Sequence, residues 1–230
     1  MNIDAILVPQ GAEYKSVCRG LSRVNGSKPP IFPIPVGVKP ITKYLEEWQK
    51  AGYLFNHQQP RVLLMGLCGS LTSRYSVGDI VVYRSCVYGS DEKLPEKMCD
   101  RAFTEQLYNK LKGNAFFVRG LTSDRLIYSA SEKRHLGGIY DTEVVDMEGF
   151  AALNLLNQAG FAVAMLRVIS DDSQHDLPDI NSAINADGSL QSLPLAIGML
   201  RQPIAATRLI QGSLRGLKVL EKTTTNLLQM

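Results

Sequence analysis

Val144 to Asp172 reads VVDMEGFAALNLLNQAGFAVAMLRVISDD. The pattern is strand, helix, strand, with ionisable residues gathered at both strand ends. Asp146 and Glu148 end the first strand; Arg167, Ser170, Asp171 and Asp172 lie on or just after the second. A strand that buries Ala162, Ala164, Leu166 and Ile169 has no structural need for Arg167 and Asp171 at its end. Taken singly, each charge suits a solvated loop. Gathered at neighbouring strand ends of an open α/β sheet, they converge on the rim where such sheets bind small molecules.

The flanking sequence extends this alternation. Ile3 to Pro9 is a short apolar run that reads as a buried first strand, and Ala12 to Leu21 as a short helix. Lys28 to Pro35 is Pro-rich, an edge strand or an extended loop. Pro40 to Ala51 reads as a helix with Pro in its first turn, and Ile41, Tyr44, Leu45 and Trp48 line one face. Arg61 to Met65 is a strand running into a Gly66-Leu67-Cys68-Gly69-Ser70 turn, and Val77 to Tyr88 a longer strand region. Arg101 to Leu111 is expected to be helical, Ala115 to Leu121 a strand, Thr122 to Tyr128 a loop or short strand, and Ser131 to Leu136 a short helix. Asp172 to Ser192 is polar and aperiodic, read as a mobile loop, and Leu193 to Leu228 is helical with a break or kink at Pro203. Strands alternating with helices, plus consecutive strands in the middle, favour an α/β three-layer α/β/α sandwich with a mixed sheet. No repeat or low-complexity linker divides the 230 residues, so 1–230 reads as a single domain.

Composition narrows the function. The apolar fraction is 45%, enough for a sizeable core. The net charge of +3 is mild and its Lys and Arg are spread along the chain, so nucleic acid is not an expected partner. No stretch approaches the ~20 apolar residues of a membrane span, and the N-terminus lacks a basic signal region, so no membrane partner is expected. Cys18, Cys68, Cys86 and Cys99 form no CxxC pair and read as reduced thiols, which favours a cytoplasmic location. His57, His135 and His175 show no ligand spacing, and neither a metal nor a cofactor is expected.

Three motifs bear on chemistry. Two glycines in Gly66–Ser70 let backbone N–H groups approach a ligand, but the segment is neither GxGxxG nor a P-loop. Glu13 follows the first strand and Glu148 opens a helix, places where the helix dipole alone favours an acid. With Asp171 they form a set of carboxylates able to divide acid and base work, and Arg167 is suited to hold one of them. No GxSxG elbow is present, so no Ser-His-Asp set is suggested.

Taken together, the sequence resembles the purine nucleoside phosphorylase/5′-methylthioadenosine–S-adenosylhomocysteine nucleosidase superfamily. The resemblance runs roughly from Ile3 to Asp172. It rests on the first strand followed by Glu13, on MGLCGSL and SVGDIVV between Met65 and Val82, on VVDMEGFAA and on LRVISDD. It implies a nucleoside phosphorylase-like fold, with a partly barrel-like mixed sheet of nine to ten strands, and cleavage of an N-glycosidic bond. It also implies roles. Asp171 would protonate or hydrogen-bond the purine at N7, and Glu13 would activate water. Glu148 would bind ribose hydroxyls with Met147 packed on the sugar. Ser170 would hold Asp171, and Arg167 would hold Glu148. Leu67, Cys68 and Gly69 would line the substrate site, as would Leu126 and Ile127. Leu126 stands where nucleosidases place an aromatic beside the base, with Tyr128 as a substitute ring. Hexameric phosphorylases carry an Arg and a hydroxyl residue where this chain has Leu64 and Leu67, which argues for water over phosphate. The reading is a nucleosidase acting on a purine nucleoside or 5′-modified adenosine, with a homo-oligomer implied. The rivals are a phosphorylase that rebuilds its anion site with Arg19 or Arg23, and a non-catalytic nucleoside-binding protein. In the nucleosidase reading Asp172 is the neighbouring acid that would keep Asp171 protonated.

Overall fold

The computed structural model describes residues 2–50, 59–89, 95–185, 187–189 and 191–229; Ala51 and His57, both weighed above, lie outside them. Among the described residues, eight strands and seven helices follow in the order β1 (Ala5–Pro9), α1 (Ala12–Ser22), β2 (Ile31–Ile34), α2 (Val38–Lys50), β3 (Arg61–Ser70), β4 (Ile80–Tyr88), β5 (Glu96–Met98), α3 (Arg101–Lys110), β6 (Phe116–Thr122), α4 (Ala130–Tyr140), β7 (Val144–Asp146), α5 (Gly149–Gln158), β8 (Ala162–Asp171), α6 (Ser192–Arg201) and α7 (Pro203–Leu228). The described strands are fewer than the nine to ten the resemblance implies.

β3 is the hub. β8 runs parallel to it along nearly its whole length, then bends away to pair antiparallel with β4. β4 is parallel to β6, β6 is parallel to β7, and β7 returns antiparallel to the end of β3. The ring β3–β8–β4–β6–β7 closes, which is the barrel-like part of the sheet. β1 and edge strand β2 extend it as an open wing. Helices cover both faces. α2 and α5 bury Ile41, Leu45, Trp48, Ala152 and Leu156 against one side, and α1, α3 and α7 bury Val17, Phe103, Leu107 and Leu220 against the other. The sandwich is thus three-layered and mixed, as its alternating pattern predicts. On the second side α7 lies close on α1, because a Cβ at Gly20 would collide with the Glu221 carbonyl.

Several local expectations change. Lys28–Pro35 contains a true strand, β2, which tolerates Pro33 because it pairs only with β1. The expected Gly66–Ser70 turn is instead the second half of β3. Its glycines serve side-chain room rather than a turn, as shown below. Arg167 sits within β8, not at its end, and is fully buried. The 172–192 segment is not a bare loop: Leu177, Ile180 and Ala183 are buried, and residues 181–183 form one 3₁₀ turn. The helix of Ser131–Leu136 runs on to Tyr140. The long C-terminal helix is two. Pro203 has no N–H to continue α6 and begins α7 instead.

The edge of β3 opposite β8 is shared. β1 pairs with Val62–Leu64 and β7 with Gly69–Ser70, so Met65 to Cys68 has no strand on that side. Backbone groups left free at such a divide must find other partners. They also mark the crevice in which open α/β sheets bind ligands.

Candidate active site

Glu13 fills the divide. Gly11, at φ +94°, turns the chain from β1 into α1 and sets Glu13 in that helix's first turn. Its Oε1 accepts the Leu67 N–H at 2.6 Å, one of the backbone groups the split leaves without a strand partner. This is possible only because residue 66 is glycine. A Cβ there would lie 2.7 Å from Glu13 Oε1 and inside contact distance of Arg167 Nη1. Leu67 itself contributes its N–H, while its side chain points to α7 and touches the Gly216 position.

Arg167 reaches into the same place from β8. Its Nη2 lies 3.3 Å from Asp146 Oδ2 and 3.4 Å from Glu148 Oε2. Asp146 is fixed by the Thr122 hydroxyl at 2.7 Å and the Gly149 N–H at 3.0 Å. Gly149 has to be glycine-sized, since a Cβ would sit 2.6 Å from Asp146 Oδ2. Glu148, at the N-cap of α5, accepts the Gly37 N–H at 3.2 Å. Three carboxyl groups therefore share one guanidinium in a buried site. Burial pushes Glu13 up to about 7 against the pull of Arg167 and the Leu67 N–H. Burial likewise pushes Glu148 up to about 7, opposed by Arg167 and reinforced by Asp146 and Glu13. Arg167 is held more firmly charged than usual, because its acidic neighbours outweigh the burial that opposes its charge. Its Nε and Nη1 have no hydrogen-bond acceptor among the described residues, although Arg167 is fully buried. A buried donor without a partner calls for an explanation, and a substrate or water oxygen supplies one.

Asp171, the last residue of β8, lies against a second position of β3, Gly69. Between Cys68 and Gly69 the β3–β8 register slips by one, so Cys68 pairs with Ile169 and Gly69 with Asp171, with Ser170 as the extra residue. A Cβ on Gly69 would lie 2.6 Å from Asp171 Oδ2, so this glycine also admits a carboxylate. Ser170 Oγ donates to Asp171 Oδ1 at 2.8 Å and also lies 3.2 Å from the Cys68 carbonyl. Asp171 is ion-paired with Lys133, a fully buried lysine of α4 whose Nζ also donates to the Asp172 carbonyl at 2.9 Å. The expected neighbouring acid is thus replaced by a cation. Asp172 turns its carboxylate to His175 Nδ1 at 3.0 Å and to the Gln174 and His175 N–H groups. Although burial pushes Asp172 up, those hydrogen bonds leave it below its ordinary range.

Two cavities flank these groups. One of about 400 Å³ is lined by Ser170, Asp171, His175, Leu177 and α7 residues including Arg208 and Arg215. The other, about 370 Å³, is lined by Gly37, Val38, Asp124, Arg125, Met147 and Asn181. Asp171 lines the first cavity; Glu148 lines neither, but its neighbour Met147 and its hydrogen-bond partner Gly37 line the second. Gly69, which admits Asp171, and Gly66, which admits Glu13 and Arg167, are roughly 10 Å apart along β3. Leu126 is part-buried, with its N–H and carbonyl both bonded to Asn181, at 2.9 and 3.0 Å. Ile127 does not line either cavity. It is packed with Leu71, Val87, Leu121 and Val145 in the core cluster beneath α4. Tyr128 contributes its carbonyl to the Leu177 N–H. Arg19 and Arg23 both pair with Glu221 of α7, at 2.8 and 2.5 Å. Leu64 is a core residue.

Lys133 and Thr122, the partner of Asp146, are missing from the sequence-derived set. The lysine left a trace: Ala130, Lys133 and Gly137 share one helical face of otherwise small residues.

The family model of the phosphorylase superfamily matches residues 49–192. No curated protein sequence matches the chain. Among solved structures, Helicobacter pylori 5′-methylthioadenosine/S-adenosyl homocysteine nucleosidase is similar at 13% identity and TM-score 0.70, covering 97% of this chain and 96% of that one. Futalosine hydrolase of the same organism is similar at 13% identity and TM-score 0.70, covering 97% and 95%. The nucleosidase of Campylobacter jejuni follows at 14% identity and TM-score 0.61, covering 95% and 98%.

Proposed function

We propose that this chain, which belongs to the phosphorylase superfamily, is a nucleosidase that hydrolyses the N-glycosidic bond of a purine nucleoside or 5′-modified adenosine. The observation that carries this reading is Glu13. It is a carboxyl group near pKa 7, held on the Leu67 N–H beside a buried guanidinium with unpartnered donors. A group with that pKa suits a general base at neutral pH. Its ionised form takes a proton from water while the oxygen attacks the anomeric carbon. The C–N bond breaks, its electron pair leaves with the purine, and Asp171, ionised against Lys133, relays a proton from the Lys133 ammonium to the departing base. The products are the free base and the free sugar.

The surrounding charges fit the transition state. Loss of a purine leaves an oxocarbenium-like sugar, and the Glu13, Asp146 and Glu148 cluster places negative charge beside it. Glu148 accepts from the ribose hydroxyls, and Met147 packs on the sugar from the adjacent cavity wall. Lys133, in contact with Asp171, is the source of that proton and regains one from solvent once the products leave. The named neighbours, two methylthioadenosine nucleosidases and a futalosine hydrolase, are consistent with this chemistry.

Water is the nucleophile in this reading. A phosphate dianion needs cations, and the two that sequence offered, Arg19 and Arg23, are engaged by Glu221. Leu64 and Leu67 add no polar group, and Glu13 repels an anion. The test is incubation with methylthioadenosine, adenosine and inosine, with and without phosphate, followed by mass spectrometry of the sugar product. Release of base and free sugar without phosphate is expected. Strict phosphate dependence, with a sugar 1-phosphate as product, would falsify hydrolysis.

A further inference from the structure

Arg167 is held by two carboxylates that both take the same nitrogen. Asp146 Oδ2 lies 3.3 Å and Glu148 Oε2 3.4 Å from Nη2, while Nε and Nη1 have no acceptor among the described residues. A carboxylate facing a guanidinium pairs most strongly as a fork, two oxygens on two nitrogens. Asp146 and Arg167 are both buried, with two donors of the arginine unused, yet Asp146 reaches it with one oxygen only.

The reason lies at the other oxygen, Asp146 Oδ1. Parallel pairing of β6 with β7 sets Thr122 in register with Asp146. The Thr122 hydroxyl donates to Oδ1 at 2.7 Å, and the Gly149 N–H donates to the same oxygen at 3.0 Å. Thr122 is itself fully committed. Its oxygen accepts the Phe150 N–H at 2.8 Å and lies 3.1 Å from Cys86 Sγ. A hydroxyl has one proton and two lone pairs, so with that proton on the carboxylate the Cys86 thiol is the donor. Burial pushes that thiol well above its ordinary range, so the sulfur keeps its proton. Thr122 is completely buried, and bulk water does not compete for its hydroxyl. Capping of α5 accounts for the Gly149 and Phe150 N–H groups. It does not account for a Thr122 proton aimed at a carboxylate that faces an arginine with two donors unused.

We propose that Thr122 is a positioning residue of the reaction centre: its hydroxyl holds Asp146 Oδ1 away from Arg167, blocks a bidentate pair, and so leaves Nε and Nη1 for the oxygen of the attacking water or of the sugar. This role rests on the nucleosidase reading of the site. Without the hydroxyl, Oδ1 is short of a donor in a buried place, and the cation at hand is Arg167. The fork that forms draws the guanidinium away from Glu13, whose carboxylate it stabilises. The charged groups around Asp146 and Glu13 are Arg167 on β8 and Glu148 at the start of α5. Cys68, Cys86, Cys99 and Tyr83 also lie within electrostatic reach of Asp146, and burial keeps all four protonated.

The test compares Thr122→Val, which exchanges the hydroxyl for a methyl, with Thr122→Ser, which keeps it. The carbon-13 carboxyl signal of Glu13 is followed against pH in the full chain, with Glu13→Gln to assign it. Base release from methylthioadenosine and inosine is profiled over the same range. In Thr122→Val, Glu13 should titrate at least about half a pH unit above wild type, and the acidic limb of the rate profile should move with it. Its kcat should fall about ten- to a hundredfold, with less change in KM. Thr122→Ser should restore all of these. Asp146→Asn removes the competing carboxylate, so adding Thr122→Val to it should move Glu13 no further. If the valine variant does not fold, Thr122→Ala carries the same expectations. Three results overturn the inference: a Glu13 titration unmoved by Thr122→Val, a serine variant that behaves as valine does, or a valine shift that persists beside Asp146→Asn. Lower stability with an unmoved Glu13 assigns Thr122 to the cap of α5 alone and equally overturns it. If the wild type cleaves no nucleoside, the nucleosidase reading fails, and the carboxyl titration still decides what Thr122 does.

Discussion

Asp171→Asn tests both the site and its support, because Asp171 answers a lysine with no exposed surface. Asparagine preserves shape and one acceptor but removes the negative charge opposite the Lys133 ammonium. What remains for that ammonium is the Asp172 carbonyl at 2.9 Å. Removing one partner of a buried ion pair costs about 3–5 kcal/mol. The retained amide acceptor, and the 11% exposure of the Asp171 side chain, reduce this to about 2–3 kcal/mol. At about 2–4 °C per kcal/mol for a chain of this size, Tm falls by roughly 4–12 °C. Base release falls about 10²–10⁴-fold if Asp171 is the acid. Lys133→Met alone also destabilises, by leaving a part-buried carboxylate with only the Ser170 hydroxyl. The double variant Asp171→Asn/Lys133→Met carries neither charge, so the cycle should show a coupling of at least about 1.5 kcal/mol. Urea denaturation of the four proteins measures it, and base release is followed on the same samples. Stability should return in the double variant and activity should not. Additivity within about 0.5 kcal/mol refutes the ion pair as a unit. Wild-type turnover in Asp171→Asn refutes the role of Asp171 as acid.

Two further outcomes follow from the carboxylate cluster. Glu148, raised to about 7 from an ordinary 4.5, keeps a proton in the folded state that the unfolded chain has lost above pH 4.5. Its contribution to stability is therefore full below 4.5 and is lost as pH rises through about 7. Glu148→Gln should flatten that slope and gain up to about 3 kcal/mol over wild type at pH 8, less where Glu13 titrates with it; parallel urea curves at pH 4.5 and 8 would sink the assignment. Gly66→Ala should push into Arg167 and Glu13, destabilising by about 1–3 kcal/mol and lowering base release. Gly138→Ala on α4 has open space and should be neutral or stabilising. Equal behaviour of the two alanine variants in thermal melts and turnover would show that Gly66 makes no room for the site.

Local pattern carried much of this protein. Apolar alternation and helical spacing in Val144–Asp172 were enough for strand, helix and strand, because burial of a periodic face is a property of neighbouring residues. The carboxylates at Glu13, Glu148 and Asp171, with Arg167 and Ser170, were legible as residue types that an apolar strand or helix start does not need. What Gly66 and Gly69 do was not legible. A glycine pair after an apolar run reads as a turn. Only the close approach of Glu13 from α1 and of Arg167 and Asp171 from β8 shows that these glycines stay in a strand and yield their Cβ space. Ile127 likewise looks like a pocket residue beside Leu126, yet lies in the core because α4 and β7 close over it. Lys133 shows the limit most clearly. Its partner is 38 residues away in sequence, and whether a lysine on a helix is solvated or buried against a carboxylate depends on which strand that helix covers. Sequence periodicity records which face of an element is apolar. The pairing of charges across elements, and with it the pKa of Glu13 and Glu148, arises only when the closed ring of strands brings distant residues into one low-dielectric space.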